Sequence, residues 1–186
     1  RIKHIMCVIH AEDHALYEEC MGEDFSLIHY PVTGGATRQA SVLAGLEALA
    51  AFNPEHVLIH DGARPFLSAD LLDSIIDGLQ TQRAILPALQ VVDTLQRVDE
   101  SQLCLTTVSR EGLWRAQTPQ AFQFEGILSA HRTVEGQDLT DDVAVARATG
   151  MQVTVVEGSE SNFKLTTEAD FIRGEIMLSK LMETRT

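Results

Sequence analysis

The chain has 186 residues and sets 14 Lys and Arg against 27 Asp and Glu, a formal net charge of −13. A surface this acidic repels nucleic-acid phosphate and anionic lipid, which argues against a sequence-independent nucleic-acid binder but not against a small anion held in a locally basic pocket. With 45% apolar and 22% charged residues, the composition is that of an ordinary globular domain rather than a disordered or collagen-like chain, and one domain is the default.

The start, Arg1 to Ile9, is basic and then apolar. It lacks a small-residue cleavage site and runs into Glu12 and Asp13, which is unlike a signal peptide. No apolar run approaches the ~18 residues that span a bilayer. Three widely spaced cysteines, Cys7, Cys20 and Cys104, argue against a disulfide framework and fit a reducing cytoplasm.

In chain order, Ile5 to Ile9 reads as a strand buried on both faces. Glu12 to Cys20 reads as a short helix stopped by Gly22, and Phe25 to Tyr30 as a second strand. Gly34-Gly35 marks a turn. Val42, Leu43, Leu46, Leu49 and Ala50 repeat at helical spacing within a helix over 37–52, which Asn53-Pro54 ends. His56 to His60 is a further buried strand. Ser68 caps a helix reaching about Gln82, and Ala84 to Ala88 is again a strand.

From Gln90 to Leu113 the pattern changes to alternation around the polar turn Asp99-Glu100-Ser101-Gln102, which predicts a β-hairpin arm over 90–113. After Trp114, read as a core anchor, follow one short strand, a helix from Glu125 to about Val134, and a helix capped by Thr140 and closed by Gly150. Strands over 152–156 and 163–165 and an amphipathic helix from Thr167 to about Met182 complete the chain. The expected fold is α/β, a mostly parallel sheet with helices on both faces and a protruding arm. Ligands of such sheets sit beyond the carboxyl ends of the strands.

Five stretches at those ends carry candidate chemistry. In His60-Asp61-Gly62-Ala63-Arg64-Pro65, Asp61 offers hard oxygen to Mg²⁺, Gly62 admits a ligand to the backbone, and Arg64 can pair with phosphate. In Gly34-Gly35-Ala36-Thr37-Arg38-Gln39-Ala40-Ser41 the N–H groups of a helix start can receive an anion or a carbonyl, with Arg38 and Ser41 nearby. Ser109-Arg110 through Trp114 to Gln120 supplies guanidiniums and the Thr118 hydroxyl. Leu139-Thr140-Asp141-Asp142 reads equally as a plain helix cap. In Phe163-Lys164-Leu165-Thr166 the lysine needs a phosphate or an internal carboxylate as partner. His10 and His14 have metal-ligand spacing but no third ligand.

Taken together, these motifs closely resemble the 2-C-methyl-D-erythritol 4-phosphate cytidylyltransferase family. The match runs through Gly34-Gly35, Arg38, Ser41-Val42, His60 to Pro65, Asp93-Thr94, Arg110, Gly112-Leu113-Trp114, Ala116 to Gln120, Phe122, Thr140-Asp141 and Phe163 to Thr166, in family order. The resemblance implies a Rossmann-like nucleotidyltransferase domain over 1–186 that forms a homodimer through its arm. It implies that Gly35, Ala36 and Ser41 hold the cytosine of CTP, with Arg38 at the same helix start. Asp61 would bind Mg²⁺ near the ribose with Gly62 alongside. Lys164 would contact the phosphates, and Thr94, Arg110 and Thr140 would grip methylerythritol phosphate, with Arg64 and Thr118 close by. The catalytic weight then falls on Asp61, Lys164 and Arg110.

Ser109 departs from the Asp often found before the arginine. The resemblance also implies that a further strand and a basic glycine-rich loop, on the order of 30 residues, would precede Arg1, and that a fused cyclodiphosphate synthase could follow Thr186. The rival readings are a related nucleotidyltransferase for another polyol phosphate, such as ribitol phosphate, and a non-catalytic nucleotide-binding domain.

Overall fold

In the computed structural model, which describes residues 1–21, 26–137 and 139–183, three helices start where a short polar side chain takes over an unpaired backbone N–H. Thr37 accepts from Ala40 N at 3.1 Å and opens α2 (Arg38–Leu49). Ser68 accepts from Leu71 N and opens α3 (Ala69–Gly78). Asp141, not the expected Thr140, accepts from Ala144 N at 2.8 Å and opens α5 (Asp142–Ala148). The remaining helices are α1 (His14–Cys20), α4 (Phe124–Thr133) and α6 (Glu168–Glu183). A 3₁₀ turn, Ala50–Phe52, finishes α2. Gly150 closes α5 with φ +82°, a left-handed conformation that favours glycine.

The strands are β1 (Val8–Ile9), β2 (Val32–Thr33), β3 (His56–Ile59), β4 (Ala84–Gln90), β5 (Leu95–Val98), β6 (Cys104–Val108), β7 (Trp114–Ala116), β8 (Gln120–Gln123) and β9 (Thr154–Glu157). β8 lies antiparallel between β3 and β4, β7 continues along the same edge of β4, and β9 runs parallel to β4 on its other edge. The α/β class stands: β3, β4 and β9 share one direction, and only β7 and β8 run against it. Between β4 and β8 the chain passes through the arm and β7 with no crossover helix, so it returns antiparallel, whereas a parallel return needs a crossover.

Side-chain alternation splits the core between the two faces. Val57, Ala84 and Phe122 pack with Leu46 of α2, Phe124, Ile127 and Leu128 of α4, and Val145 of α5. Their neighbours Leu58, Ile85 and Ala121 pack with Leu71, Ile75 and Leu79 along α3. The register explains this, because Phe122 sits opposite both Val57 and Ala84 while Ala121 sits opposite both Leu58 and Ile85.

Several expectations need correction. β1 is half exposed, and its ladder partner is β2, with Ile28 making only an isolated bridge to Ile5. Gly22 and Phe25, the expected helix stop and strand start, lie outside the described residues. Trp114 is 37% exposed at the start of β7 and anchors no core. Residues 163–165 form no strand; Leu165 N donates a single hydrogen bond to Ala63 O at 2.8 Å.

The arm is a two-stranded sheet of β5 and β6 with no ladder to the central sheet. Asp99 closes its tip, accepting from Ser101 N and Leu103 N at 2.9 Å each. Val98, Leu103 and Leu105 are all more than half exposed along it. Among the described residues no helix is long and apolar enough to cross a membrane.

Candidate functional site

The loop that leaves β3 places Asp61 where three cations converge. Lys164 Nζ lies 3.1 Å from one carboxylate oxygen and Arg64 Nε 3.6 Å from the same one, while Arg38 Nη2 lies 3.7 Å from the other. These residues come from three parts of the chain. Arg38 is the first residue of α2, Asp61 and Arg64 follow β3, and Lys164 lies on the segment that Leu165 ties to Ala63. Asp61 and Arg64 are mostly buried, whereas the Lys164 side chain keeps 45% of its surface. In an acidic molecule this is a local concentration of positive charge around one carboxylate. The lysine's partner here is the internal carboxylate of the two expected alternatives.

A polar layer fixes this loop from beneath. Thr118 Oγ1 accepts from Asp61 N at 3.0 Å and faces His60 Nδ1 at 3.0 Å. The other ring nitrogen, Nε2, donates to Arg64 O at 3.0 Å, so Thr118 O–H donates to Nδ1 and every group in the chain is used once. Burial lowers the His60 pKa from its ordinary value, against the opposing hydrogen bond to Arg64 and the Asp61 charge. Below Thr118 lies the fully buried Asn162, whose Nδ2 donates to Thr118 O and whose carbonyl accepts from Arg64 Nη1 at 2.8 Å. The buried Gln117 ties the same segment to β7, exchanging hydrogen bonds with Ser159. The Thr118–Pro119 peptide is cis.

Arg38 also reaches the other way. Its Nη2 donates to Asp142 Oδ2 at 2.7 Å, and the second oxygen of Asp142 accepts from His131 Nε2 at 3.1 Å. Asp142 and His131 are buried. Burial works to raise the Asp142 pKa, but the hydrogen bonds from His131 and Arg38 outweigh it and hold the group below the ordinary carboxylate value. Burial likewise works against the Arg38 charge, and the Asp142 hydrogen bond with the charges of Asp142, Asp61 and Asp141 prevails, raising its pKa. Gln120 on β8 steadies this corner by donating to Asp141 Oδ2 and accepting from Val143 N.

At the glycine turn, Ser41 Oγ accepts from Gly35 N at 3.1 Å and donates to Thr37 O at 2.9 Å. A Cβ on Gly35 would come within 2.5 Å of the Ala40 Cβ, so the turn and the helix approach here only through glycine. Ala36 is exposed beside it. Gly62 is exposed, with open space where a Cβ would stand. Thr140 shares the wall of a cleft of about 560 Å³ with Arg38, Gln39, Leu43 and His131. Asp61 is not in that wall, so the charge cluster and this cleft meet at Arg38.

The structure therefore assembles Asp61, Arg64, Lys164, Arg38 and Thr118, and sets Gly35, Ala36, Ser41 and Thr140 on the elements around Arg38. It leaves Thr94 exposed in the link between β4 and β5. Arg110 is at the arm's base, where it donates to Val92 O. His10 and His14 turn to different partners, Glu12 N and Thr33 Oγ1, and the described residues hold no cluster of three or more His, Cys, Asp or Glu suited to a metal. A lone carboxylate of hard oxygens still fits Mg²⁺, which completes its shell with water and phosphate. His60, Gln117 and Asp142 stood in the candidate stretches without a role of their own, and His131 and Asn162 stood in none. The sequence signal for Asp142 was its place beside Asp141 in a helix cap; His131 and Asn162 carried none.

The sequence model of the family described as 2-C-methyl-D-erythritol 4-phosphate cytidylyltransferase matches residues 1–180. The "Bifunctional enzyme IspD/IspF" of Bartonella tribocorum is 44% identical over 182 residues, 96% of this chain and 45% of that protein. The chain thus spans about half the length of the curated relatives it matches. Among solved structures, the 4-diphosphocytidyl-2C-methyl-D-erythritol synthase of Anaerococcus prevotii superposes with a TM-score of 0.83 at 31% identity, covering 95% of this chain and 79% of that one. The 2-C-methyl-D-erythritol 4-phosphate cytidylyltransferase of Thermus thermophilus gives 0.80 at 31% identity, covering 95% and 82%. The fold is that of these nucleotidyltransferases.

Proposed function

The chain belongs to the 2-C-methyl-D-erythritol 4-phosphate cytidylyltransferase family, and on that premise we propose that it transfers the cytidylyl group of CTP to 2-C-methyl-D-erythritol 4-phosphate and releases pyrophosphate, as the cytidylyltransferase part of a longer bifunctional protein. The observation that carries this reading is the meeting of Lys164, Arg64 and Arg38 around Asp61 at the carboxyl end of β3. Such a cluster suits the join between two phosphate-bearing substrates. The three unpaired cysteines fit a reducing cytoplasm as its place of work.

In this reaction a phosphate oxygen of the acceptor attacks the α-phosphorus of CTP in line, and the bond to pyrophosphate breaks. No covalent enzyme intermediate is required, and catalysis rests on positioning and charge. Lys164 is the movable cation. Its exposed ammonium leaves Asp61 for the phosphate oxygens at the reacting centre. Arg64, held by Asn162 O, is the fixed one. Asp61 would hold Mg²⁺, which when bound neutralises phosphate charge. Gly35, Ala36 and Ser41 at the start of α2 take the cytosine, and the open face of Gly62 leaves room for the ribose. Thr140 borders the acceptor's phosphate, while the buried Thr118 supports Asp61 from beneath. Thr94 and Arg110 stand on or beside the arm, and they reach an acceptor only if the arm crosses to a second subunit in a homodimer.

The test is pyrophosphate release by the full-length protein with CTP, Mg²⁺ and methylerythritol phosphate, with mass analysis of the product. Cytidine-diphospho-methylerythritol is expected. Turnover with ribitol phosphate instead would reassign the acceptor. Nucleotide binding with no turnover on either would leave a non-catalytic domain.

A further inference from the structure

Arg38 is shared unequally between two carboxylates, which raises the question of what keeps it where it is. Its nearer partner, Asp142 at 2.7 Å, is buried beneath it, and its farther partner, Asp61 at 3.7 Å, faces the site. Asp142 is backed by His131, whose Nε2–H occupies the remaining oxygen. A guanidinium released from Asp142 has one mostly buried carboxylate within easy reach, and that is Asp61.

We propose that the buried His131–Asp142 pair is a positioning device that holds the Arg38 guanidinium beside Asp61 rather than on it, and so keeps the Asp61 carboxylate open to its ligands. The inference rests on the proposed function for the identity of those ligands, and on the geometry alone for the movement of Arg38. It assigns His131 and Asp142 no contact with substrate. Their whole effect passes through Arg38. The groups that face this guanidinium are Asp142 and Asp141 at the start of α5 and Asp61 after β3. Removing the charge at Asp142 therefore leaves Asp61, 3.7 Å away, and Asp141, whose two oxygens already accept from Gln120 and Ala144 N, so Asp61 is the carboxylate free to draw the guanidinium.

Two readouts separate positioning from mere structural support. In the full-length protein, Asp142→Asn keeps the shape and the acceptor for His131 but loses the charge. We expect equilibrium affinity for CTP with Mg²⁺, measured by calorimetry without acceptor, to fall about tenfold, the scale of a lost charge-assisted contact. In an Arg38→Gln background the same substitution should change affinity less than twofold, because nothing is left for Asp142 to hold. A crystal structure of Asp142→Asn should show the Arg38 guanidinium paired directly with Asp61. His131→Gln, which leaves the Asp142 charge in place, should move affinity in the same direction by a smaller factor, and it serves as the test if Asp142→Asn does not fold. Equal losses in the presence and absence of Arg38, or an unmoved guanidinium with wild-type affinity, would overturn the proposal. Because the structural readout needs no turnover, failure of the proposed reaction and failure of this inference are told apart.

Discussion

At the residue scale, the charge cluster makes distinct demands on its members. Asp61→Asn leaves three cations around a neutral amide. We expect kcat/KM to fall by ~10²–10³, the usual effect of losing one electrostatic contact in a transition state, with the thermal midpoint little changed. Wild-type turnover in that variant would remove Asp61 from the mechanism. Thr118→Val should act differently, since it strands the Asp61 N–H and a ring nitrogen of His60 beneath the site. A buried donor left without a partner costs about 1–3 kcal/mol, which urea denaturation would detect. How far such residues were legible follows from how each is presented in sequence. Asp61 and Arg64 stand next to an apolar run that could only be a strand, so their place at its end was readable. Lys164 announced itself as a charge between Phe163 and Leu165, although the backbone there forms a tether and no strand. His131 and Asp142 meet across two helices, and no local spacing records that contact.

At the element scale, the Ser68 cap was readable because a cap is a local event, the cap of α5 fell one residue after the expected Thr140, and the sheet order was not readable, because pairing is long-range. α6 shows how far local chemistry reaches. Asp170 accepts from the backbone N–H and hydroxyl groups of both Thr166 and Thr167, while Thr167 Oγ1 accepts in return from Asp170 N, the reciprocal arrangement of a capping box. The Thr167 hydroxyl first, then the Thr166 groups and the Thr167 N–H, lower the Asp170 pKa to about 2. A carboxylate with a depressed folded pKa stabilises above its ordinary value and loses that contribution on acidification. Helicity from α6 should thus be constant above pH ~4 and decline as pH falls towards 2, and Asp170→Asn should abolish this dependence in circular dichroism. Packing sets a larger scale. Phe122 is fully buried and faces both Val57 and Ala84. Phe122→Ala should cost about 3–5 kcal/mol, read as a lowered urea midpoint. A loss below 1 kcal/mol would mean that the helix-packed face closes over the gap.

For the whole molecule, the arm is the part that does not belong to the domain's own core. A lone two-stranded hairpin is marginal in water, and this one presents Val98, Leu103 and Leu105 outward. Light scattering of the full-length protein is expected to give a dimer, and Leu105→Glu to shift it towards monomer. A wild-type monomer at micromolar concentration would leave Thr94 and Arg110 without an acceptor to grip. The insertion of β8 between β3 and β4 also governs the order in which the molecule can be made. Val57 faces Phe122, and Ile85 faces Thr154, so each early strand must wait for a partner encoded far downstream. At about 5–20 residues per second on the ribosome, β3 and β4 emerge several seconds before the strands that close them. During synthesis this apolar ladder is open, and a nascent chain halted in that interval would be a substrate for chaperones rather than a half-built enzyme.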